Sequence, residues 1–292
     1  MTPYRGQYRG RFAPSPTGSL HAGSLATALA SWLDARAAGG KWIIRIEDLD
    51  PPRTVPGAAE RIVEALVRCG LESDEPVVLQ SARRELYETA FARLQAAGLI
   101  YGCACSRRDV DEVIEAQANW PAGVYPRTCA RGAAPEKPIR AYRVRVSDEE
   151  SSFVDRAAGF YTQHLTSDVG DFVVRRSDGL WAYQLAVVID DAEQKITHIV
   201  RGADLLDNTP RQIYLQRTFG FSTPRYLHVP LVLNAAGEKL SKQTGAAELD
   251  TAQPLRELSR AALHLNMPAF GAHTIEAFLR LATDAWREQS QP

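Results

Sequence analysis

One stretch near the amino terminus limits what this chain can fold into. Residues 10–13 are short and partly apolar, as at the end of a strand, and two prolines and Gly18 then interrupt regular structure. Residues 24–36 are rich in alanine and leucine and predict a helix with Ser24 near its start. A strand that passes through a glycine turn into a helix presents backbone N–H groups and partial positive charge to a phosphate. The stretch therefore has the outline of a nucleotide phosphate site in an α/β sheet.

A histidine and a second, distant stretch bear on this interpretation. His21 adds an imidazole to the same loop, although a single histidine beside a glycine is weak evidence for phosphate binding. Far downstream, Glu238-Lys-Leu-Ser-Lys-Gln243 has two lysines that flank a serine. By itself such a pattern is typical of an ordinary solvated turn. The two stretches together, in this order, are far more specific than either alone.

Size and charge place only broad limits on function. A length of 292 residues predicts two domains, or one large α/β domain with an insertion. The formal net charge of −1 provides no general attraction to nucleic acid, so an RNA partner would have to bind local basic faces. No apolar run reaches the length of a membrane span, and the amino terminus has no signal-peptide core. We therefore expect a cytoplasmic protein with no membrane partner.

The remaining pattern alternates between strands and helices, which predicts an α/β first third. Glu47 stands at the end of a predicted buried strand, where it is a candidate either for a salt bridge or for binding a substrate ammonium group. Thr209 is predicted to cap a helix, and residues 181–191 fit a helix or a strand. Further strands are predicted at residues 41–47, 141–146, 196–202 and 226–233, and further helices at residues 56–69, 83–97, 106–117, 255–265 and 274–287.

Three of the four cysteines are close together in the sequence. Cys103, Cys105 and Cys129 form a Cys-x-Cys pair followed by a third cysteine. In a cytoplasmic protein such a cluster favours a metal over a disulfide. A structural zinc site has four ligands, and Tyr125 and His164 are both candidates for the fourth. The pattern alone equally fits three small buried side chains.

Several separate blocks resemble the glutamate branch of the class I aminoacyl-tRNA synthetases. His21-Ala-Gly-Ser24 is similar to the HIGH signature of these enzymes, and Lys239-Leu-Ser-Lys-Gln243 is similar to KMSKS. The departures from both signatures are ones that such relatives tolerate. Chance agreement over so many blocks is not credible. The other matching blocks are Phe12-Ala-Pro-Ser-Pro-Thr-Gly18, Arg45-Ile-Glu-Asp-Leu-Asp50, Val188-Ile-Asp-Asp191, Ile196-Thr-His-Ile-Val-Arg-Gly202 and Asn208-Thr-Pro-Arg-Gln212.

The resemblance implies an α/β fold: a Rossmann-like class I synthetase catalytic domain with a parallel sheet, a zinc-bearing connective insertion and a short helical carboxy-terminal segment. Full glutamyl-tRNA synthetases carry a large helical anticodon-binding region after the lysine loop, and we expect the remaining residues to be too few for it. The implied divisions are residues 1–98 and 181–246 for the halves of the catalytic domain, 99–180 for the insertion and 247–292 for the helical segment.

The short chain, the catalytic signatures and the cysteine pattern resemble the members of this branch that modify tRNA(Asp). They activate L-glutamate with ATP and Mg²⁺ and attach it to the queuosine base at the wobble position. A monomer is expected. The nearest alternative is a minimal glutamyl-tRNA synthetase that charges the 3′ end of tRNA(Glu). A non-catalytic paralogue that binds tRNA or glutamate, and a small-molecule nucleotidyltransferase, are further alternatives.

The same resemblance implies roles for individual residues. His21 and Lys242 would be the catalytic residues that steady the ATP phosphates. An arginine opposite the side-chain carboxylate of glutamate would select it over an amide, although for Arg201 a strand-end salt bridge is the alternative. The implied glutamate ligands are Arg11, Ala13, Ser15, Glu47, Tyr183 and Arg201, with Glu47 on the α-ammonium group. The implied ATP-site residues are Pro14, Thr17, Gly18, His21, Gly23, Ser24, Lys239, Ser241 and Lys242. The implied ligands of a structural Zn²⁺ are Cys103, Cys105, Tyr125 and Cys129.

Overall fold

The structure, a computed structural model, describes residues 7–117, 120–233 and 248–289. The strands are β1 Arg9–Phe12, β2 Lys41–Ile46, β3 Val78–Leu79, β4 Ile100–Cys103, β5 Ala141–Val144, β6 Glu150–Asp155, β7 Gly159–His164, β8 Val173–Arg175, β9 His198–Gly202 and β10 Arg225–Val229. The α-helices are α1 Ala22–Ala37, α2 Ala58–Arg68, α3 Arg84–Ala96, α4 Arg107–Glu115, α5 Leu165–Asp168, α6 Tyr183–Glu193, α7 Thr209–Phe219, α8 Pro254–His264 and α9 Ile275–Gln289. None of the helices in these ranges combines the length and hydrophobicity that crossing a membrane requires.

Parallel strands form the centre of the molecule. β1, β2 and β3 pair in parallel in that order, and β9, β10 and β6 do the same, with β7 antiparallel to β6. The two groups adjoin where the backbone N–H of Thr197 donates to the carbonyl of Arg9 at 2.9 Å. Parallel strands need helices on their faces, and the alternating helices provide this cover. The predicted parallel sheet is confirmed.

The alanine- and leucine-rich helix α1 lies at the centre of the main core. Leu25, Leu29 and Leu33 are fully buried, and the helix packs against β1, β9 and the two carboxy-terminal helices α8 and α9. A helix that is apolar on nearly every side is stable only when it is enclosed in this way. The predicted helices near the carboxy terminus therefore complete the core of the catalytic half.

One buried carboxylate joins distant parts of this core. Asp34, in the last turn of α1, accepts hydrogen bonds from Arg156 at 2.6 Å and from the indole N–H of Trp286 at 3.0 Å. Burial alone would raise the pKa of Asp34, but the bonds from Arg156 and Trp286 outweigh it and lower the pKa. The ionised carboxylate thus connects α1 to α9 and to the chain that follows β6.

The segment between the two halves differs from the predicted insertion. β4, β5 and β8 form a separate antiparallel sheet, as expected of an inserted unit. β6 and β7, which also fall within residues 99–180, instead pair with β10 and extend the sheet of the second half. Their pairing partners are distant in sequence, which local patterns do not reveal.

One predicted helix start is confirmed and one is corrected. α1 begins at Ala22, so Ser24 lies near its start as predicted, and His21 is the preceding cap. Thr209 is the first residue of α7 rather than its cap, and the hydroxyl of Thr209 contacts Arg201. The ambiguous segment at 181–191 is helical, as α6.

Candidate active site

Backbone hydrogen bonds hold the loop between β1 and α1. The N–H of Glu47 donates to the carbonyl of Pro14, and that of Val55 donates to Pro16, both at 2.9 Å. Gly18 has a φ of 138°, a conformation that favours glycine over residues with a side chain. The loop is therefore anchored at the carboxyl ends of β1 and β2, where parallel sheets bind ligands.

The side chain of His21 caps α1. Its Nδ1 accepts a hydrogen bond from the backbone N–H of Ser24 at 3.3 Å, and its Nε2 lies 3.0 Å from Ser24 Oγ. Because Nδ1 accepts, a neutral imidazole carries its proton on Nε2, where it reaches the serine hydroxyl. The imidazole therefore fixes the first turn of α1 in addition to lining the adjacent cavity.

The larger of two adjoining cavities has a volume of about 380 Å³, which suits a small-molecule ligand. The loop after β1, the first turn of α1 and the chain at the ends of β9 and β10 form its walls. Gly18 belongs to the same loop, whereas Lys239, Ser241 and Lys242 lie outside the described residues. The predicted ATP-site residues that line this cavity are Pro14, Thr17, His21, Gly23 and Ser24.

A smaller cavity, of about 90 Å³, adjoins the first. Ser15 and Thr17 line both cavities, so they form a common wall. Glu47 and Tyr183 line the smaller cavity, whereas Ala13 lines the larger one. Two ligands bound side by side would therefore meet at the loop after β1.

Two predicted glutamate ligands lie just outside these walls. Arg11 and Arg201 are 3% and 4% exposed and line neither cavity in the part of the chain that the structure describes. Burial raises the pKa of Tyr183. The positive charges of Arg201 and Arg11 lower that pKa, and the negative charge of Glu47 raises it. Glu47 and Tyr183 therefore line the smaller cavity, and the buried Arg11 and Arg201 lie outside its lining but act on the pKa of Tyr183.

Asp191 on α6 binds two of the buried arginines. Its carboxylate accepts a hydrogen bond from Arg45 at 2.8 Å and from Arg11 at 3.1 Å. Burial alone would raise the pKa of Asp191, but Arg11 and Arg45 outweigh it, so the pKa is lowered and the carboxylate is ionised. Arg45 also donates to Glu47 at 3.0 Å. A continuous chain of ion pairs therefore links α6 to the end of β2.

The preceding residue, Asp190, links α6 to α3. Its carboxylate accepts hydrogen bonds from Arg83 at 2.6 Å, from Gln80 at 2.7 Å and from Tyr87 at 2.8 Å. No sequence pattern predicted a role for Asp190 or Asp191. Two adjacent aspartates at the end of an apolar run were nevertheless a usable signal, because buried carboxylates require cationic or hydrogen-bonding partners.

Arg201, on β9, has only neutral partners. Its guanidinium donates to Gln212 and Thr209, both at 2.8 Å, and to His228 Nε2 at 3.0 Å. No carboxylate among the described residues lies within 4.0 Å of it, so the strand-end salt bridge is not found there. A buried cation without an opposite charge is unfavourable. Arg201 is therefore suited to bind an anion.

A buried histidine and aspartate orient Arg201 from behind. His228 Nδ1 lies 2.6 Å from Asp155, and both side chains are almost fully buried. Burial lowers the pKa of His228 more than Asp155 raises it, so the imidazole is neutral. With its proton on Nδ1, Nε2 accepts from Arg201. The sequence contained no local signal for this dyad, because its members are far apart in the chain.

The three clustered cysteines come together beside the antiparallel sheet. Their Sγ atoms lie within 4.8 Å of one another, and Cys105 and Cys129 are 3.5 Å apart. The Tyr125 hydroxyl is 3.2 Å from Cys103 Sγ and 3.8 Å from Cys105 Sγ. His164, the other candidate ligand, lies on β7 with 55% of its side chain exposed and outside the cysteine group.

An arginine borders the cysteine cluster. Arg143 donates from Nε to Cys103 Sγ at 3.4 Å, and its guanidinium carbon is 3.7 Å from the centre of the Tyr125 ring. The cluster is otherwise enclosed, since Cys103, Tyr125 and Cys129 are buried. A positive charge at this position stabilises thiolates over thiols.

The amino-acid sequence matches a known protein family. A sequence model of the family described as tRNA synthetases class I (E and Q), catalytic domain, matches residues 7–261. The chain belongs to this family. The α/β fold with its parallel sheet is accordingly that of a class I tRNA synthetase catalytic domain.

Curated relatives of this class I synthetase match it over nearly its whole length. A protein of Burkholderia mallei (strain ATCC 23344) is 57% identical over 98% of both chains. A protein of Burkholderia cenocepacia (strain HI2424) is 55% identical over the same share. One from Janthinobacterium sp. (strain Marseille) is 54% identical over 96% of this chain and 97% of its own. All three are named glutamyl-Q tRNA(Asp) synthetase.

Solved structures show the same similarity. The glutamate tRNA ligase of Elizabethkingia meningosepticum, crystallised with its amino acid, is 32% identical with a TM-score of 0.71 and covers 82% of this synthetase. The glutamate-tRNA synthetase of Elizabethkingia anophelis is 31% identical with a TM-score of 0.72. A putative arginyl tRNA synthetase of Campylobacter jejuni, at 12% identity and a TM-score of 0.53, shares the fold. The chain spans about half the length of the two glutamate enzymes, 53% of each.

Proposed function

We propose that this synthetase activates L-glutamate with ATP and transfers the glutamyl group to the queuosine base at the wobble position of tRNA(Asp). The observation that carries the proposal is the pair of adjoining cavities with Ser15 and Thr17 in their common wall. We assign ATP to the larger cavity, whose volume is in the range of small-molecule sites, and glutamate to the adjoining smaller one, which Glu47 and Tyr183 line. The choice of acceptor is supported by the name of the relatives that match 98% of the chain.

Side chains of opposite charge are available for the two ends of glutamate: Glu47 lines the smaller cavity, and Arg201 is buried outside its lining. Arg201 binds the side-chain carboxylate, because the second N–H of its Nη1 has no described acceptor. Glu47 binds the α-ammonium group, and Tyr183 lines the same cavity. Burial raises the pKa of Glu47 against the opposing charges of Arg45 and Arg11. A bound ammonium group adds a further positive charge and keeps Glu47 ionised.

The first step joins glutamate to AMP. An oxygen of the α-carboxylate attacks the α-phosphorus of ATP, the bond from that phosphorus to the bridging oxygen breaks, and pyrophosphate leaves with the electron pair. The amino terminus of α1, capped by His21, and the side chain of Lys242 stabilise the charge on the phosphates. Mg²⁺, when bound with ATP, supplies further positive charge. The assignment of Lys242 rests on the KMSKS-like signature.

The second step moves the glutamyl group to the RNA. A hydroxyl of the cyclopentene diol of queuosine attacks the acyl carbon, and the bond between that carbon and the adenylate oxygen breaks. AMP leaves with the electron pair, and the hydroxyl proton passes to its phosphate. No covalent enzyme intermediate is needed, so the enzyme acts by positioning and by electrostatic stabilisation.

The cysteine cluster fits a structural Zn²⁺, which we include in the proposal. Tetrahedral thiolates at the usual zinc–sulfur distance of about 2.3 Å lie roughly 3.8 Å apart. The 3.5 Å between Cys105 and Cys129 and the 3.2 Å between Cys103 and the Tyr125 oxygen are close to such a geometry. Four protein ligands close the site, and the positive charge of Arg143 offsets the surplus of negative charge. The ion would join the end of β4 to the loop before β5.

Protein purified without chelator is expected to contain about one zinc per chain, as a closed four-ligand site requires. Cys129→Ser should lower this content to a small fraction, because it removes a thiolate ligand. Cys69→Ser is the matched control, since Cys69 is buried beside α2 and away from the cluster. Elemental analysis measures both. Full zinc retention by Cys129→Ser would contradict the assigned ligand set.

The function is tested by transfer of radiolabelled glutamate, with ATP, to three RNAs: tRNA(Asp) with queuosine, tRNA(Asp) without it, and tRNA(Glu). We expect label only on the queuosine-bearing tRNA, and periodate treatment of its diol should abolish labelling. Label on tRNA(Glu) would instead establish a minimal glutamyl-tRNA synthetase. Absence of both labelling and glutamate-dependent pyrophosphate exchange would support a non-catalytic paralogue.

A further inference from the structure

A third cavity opens between the catalytic loops and the small antiparallel sheet. This outer cleft has a volume of about 820 Å³ and is lined by the segment Pro51–Arg53, the first turns of α4, β5 and the turn after β8. Asp50, Arg53 and Arg176 line both the outer cleft and the smaller cavity. The outer cleft shares no lining residue with the larger cavity. The three cavities therefore follow one another in a row.

Ion pairs account for most of the charge where the outer cleft meets the smaller cavity. Asp50 accepts from Arg53 at 2.7 Å and from Arg176 at 2.9 Å, and Asp178 accepts from Arg176 at 2.6 Å. The opposite charges Asp50 and Arg176 thus stand at the boundary of the two spaces. A ligand that passes from the cleft toward the smaller cavity would meet these paired charges at the boundary.

One cation in the outer cleft has no partner among the described residues. Arg107 is exposed at the first position of α4, and neither a hydrogen bond nor an ion pair of its side chain is found in the described chain. The neighbouring Arg108 instead pairs with Glu112 at 2.8 Å, with 87% of its side chain exposed. The capping box of Ser106 and Asp109 occupies the helix end, so any anion site here depends on the guanidinium.

We propose that the outer cleft binds the single-stranded loop of the tRNA next to the modified base, with Arg107 in contact with a backbone phosphate. This inference rests on the proposed function. Three cavities in a row correspond to three substrates: ATP, glutamate and the RNA, with glutamate in the middle. Single-stranded loops, unlike duplexes, can extend a base into such a cleft. Arginine contacts to phosphates supply affinity without reading sequence.

A second residue of the same helix predicts an effect of opposite sign. Asp111, one turn after Arg107, also lines the outer cleft. No described cation lies within 4.0 Å of its carboxylate. A phosphate bound there is attracted by the arginine and repelled by the aspartate. Removing the two charges should therefore change RNA binding in opposite directions, which a general loss of stability does not do.

The test compares Arg107→Ala and Asp111→Asn with Arg108→Ala as the matched control. Arg107→Ala should raise the KM for queuosine-bearing tRNA(Asp) about tenfold. It should also reduce the slope of log KM against log salt concentration by about one, the amount expected for one lost phosphate contact. Asp111→Asn should lower the KM, and Arg108→Ala should leave it unchanged. Glutamate-dependent pyrophosphate exchange without tRNA should be the same in all three variants, because activation does not involve the cleft.

A bulky substitution tests the space independently of charge. Ser177 is exposed in the turn after β8 and lines the outer cleft. Ser177→Trp should reduce transfer to tRNA severalfold while pyrophosphate exchange continues. The inference is overturned if Arg107→Ala and Ser177→Trp transfer glutamate like the wild-type enzyme, or if Arg107→Ala lowers exchange as much as transfer. Wild-type enzyme that fails to label queuosine-bearing tRNA(Asp) would instead reject the proposed function.

Discussion

Arg201→Gln is expected to reduce kcat/KM for glutamate in pyrophosphate exchange by about 100-fold, because loss of one partner of a buried charge pair costs about 2–5 kcal/mol. Arg201 is 4% exposed, and its described partners are neutral. Glutamine retains hydrogen-bonding capacity but not the charge that attracts the side-chain carboxylate. The change should appear mainly in the KM for glutamate, with the KM for ATP nearly unaltered.

Two further variants separate recognition from stability. Arg225→Gln is the control, because Arg225 is exposed at the start of the adjacent strand β10. This variant should keep wild-type kinetics. Arg201→Lys keeps the charge but loses the planar fork, so it should lose less activity than Arg201→Gln. An equal rise in the KM values for ATP and glutamate in Arg201→Gln would contradict the assigned contact with glutamate.

Asp191→Asn is expected to destabilise the fold by about 3–5 kcal/mol, because it leaves the buried Arg11 without its described counter-charge and removes one of those of Arg45. Arg11 and Arg45 both bind this carboxylate, and all three side chains are buried. For a chain of this size the unfolding midpoint should fall by roughly 10 °C in calorimetry. Glu193→Gln, an exposed position on the same helix, is the control and should stay close to the wild-type midpoint.

The same carboxylate predicts a dependence on pH. Arg11 and Arg45 lower the pKa of Asp191 in the folded state against the effect of burial. A group whose folded pKa is below its unfolded value, about 3.9 for aspartate, adds stability above that value and loses it as the pH falls through the folded pKa. Wild-type stability should therefore decline below about pH 4 more steeply than that of Asp191→Asn. If the stability of the wild type and that of Asp191→Asn fell equally steeply with decreasing pH, the ion pairs would contribute little.

Local sequence patterns were sufficient for most helices and strands. The alanine- and leucine-rich run became α1, and residues 83–97 and 274–287 became α3 and α9, because amphipathic or apolar periodicity depends only on neighbours along the chain. Helix ends were less well predicted. Thr209 is the first residue of α7 rather than its cap, and its hydroxyl contacts Arg201, a partner that the local pattern does not show. The pairing of β6 with β10 was not predicted either. It joins residues some seventy positions apart, and local patterns carry no information on such pairing.

The sequence by itself determined the family, through signatures whose residue types and order are specific, and with it the parallel α/β fold and the candidate site residues. Only the tertiary structure decided how those residues meet. It placed Glu47 and Tyr183 in the wall of one small cavity and buried Arg11 and Arg201 outside that wall, and it revealed the supporting Asp191 and the dyad of His228 and Asp155. Burial and ion pairing depend on how the chain packs, and the sequence alone does not show whether a charged side chain is solvated or buried. The order of the three cavities likewise exists only after distant loops have been brought together.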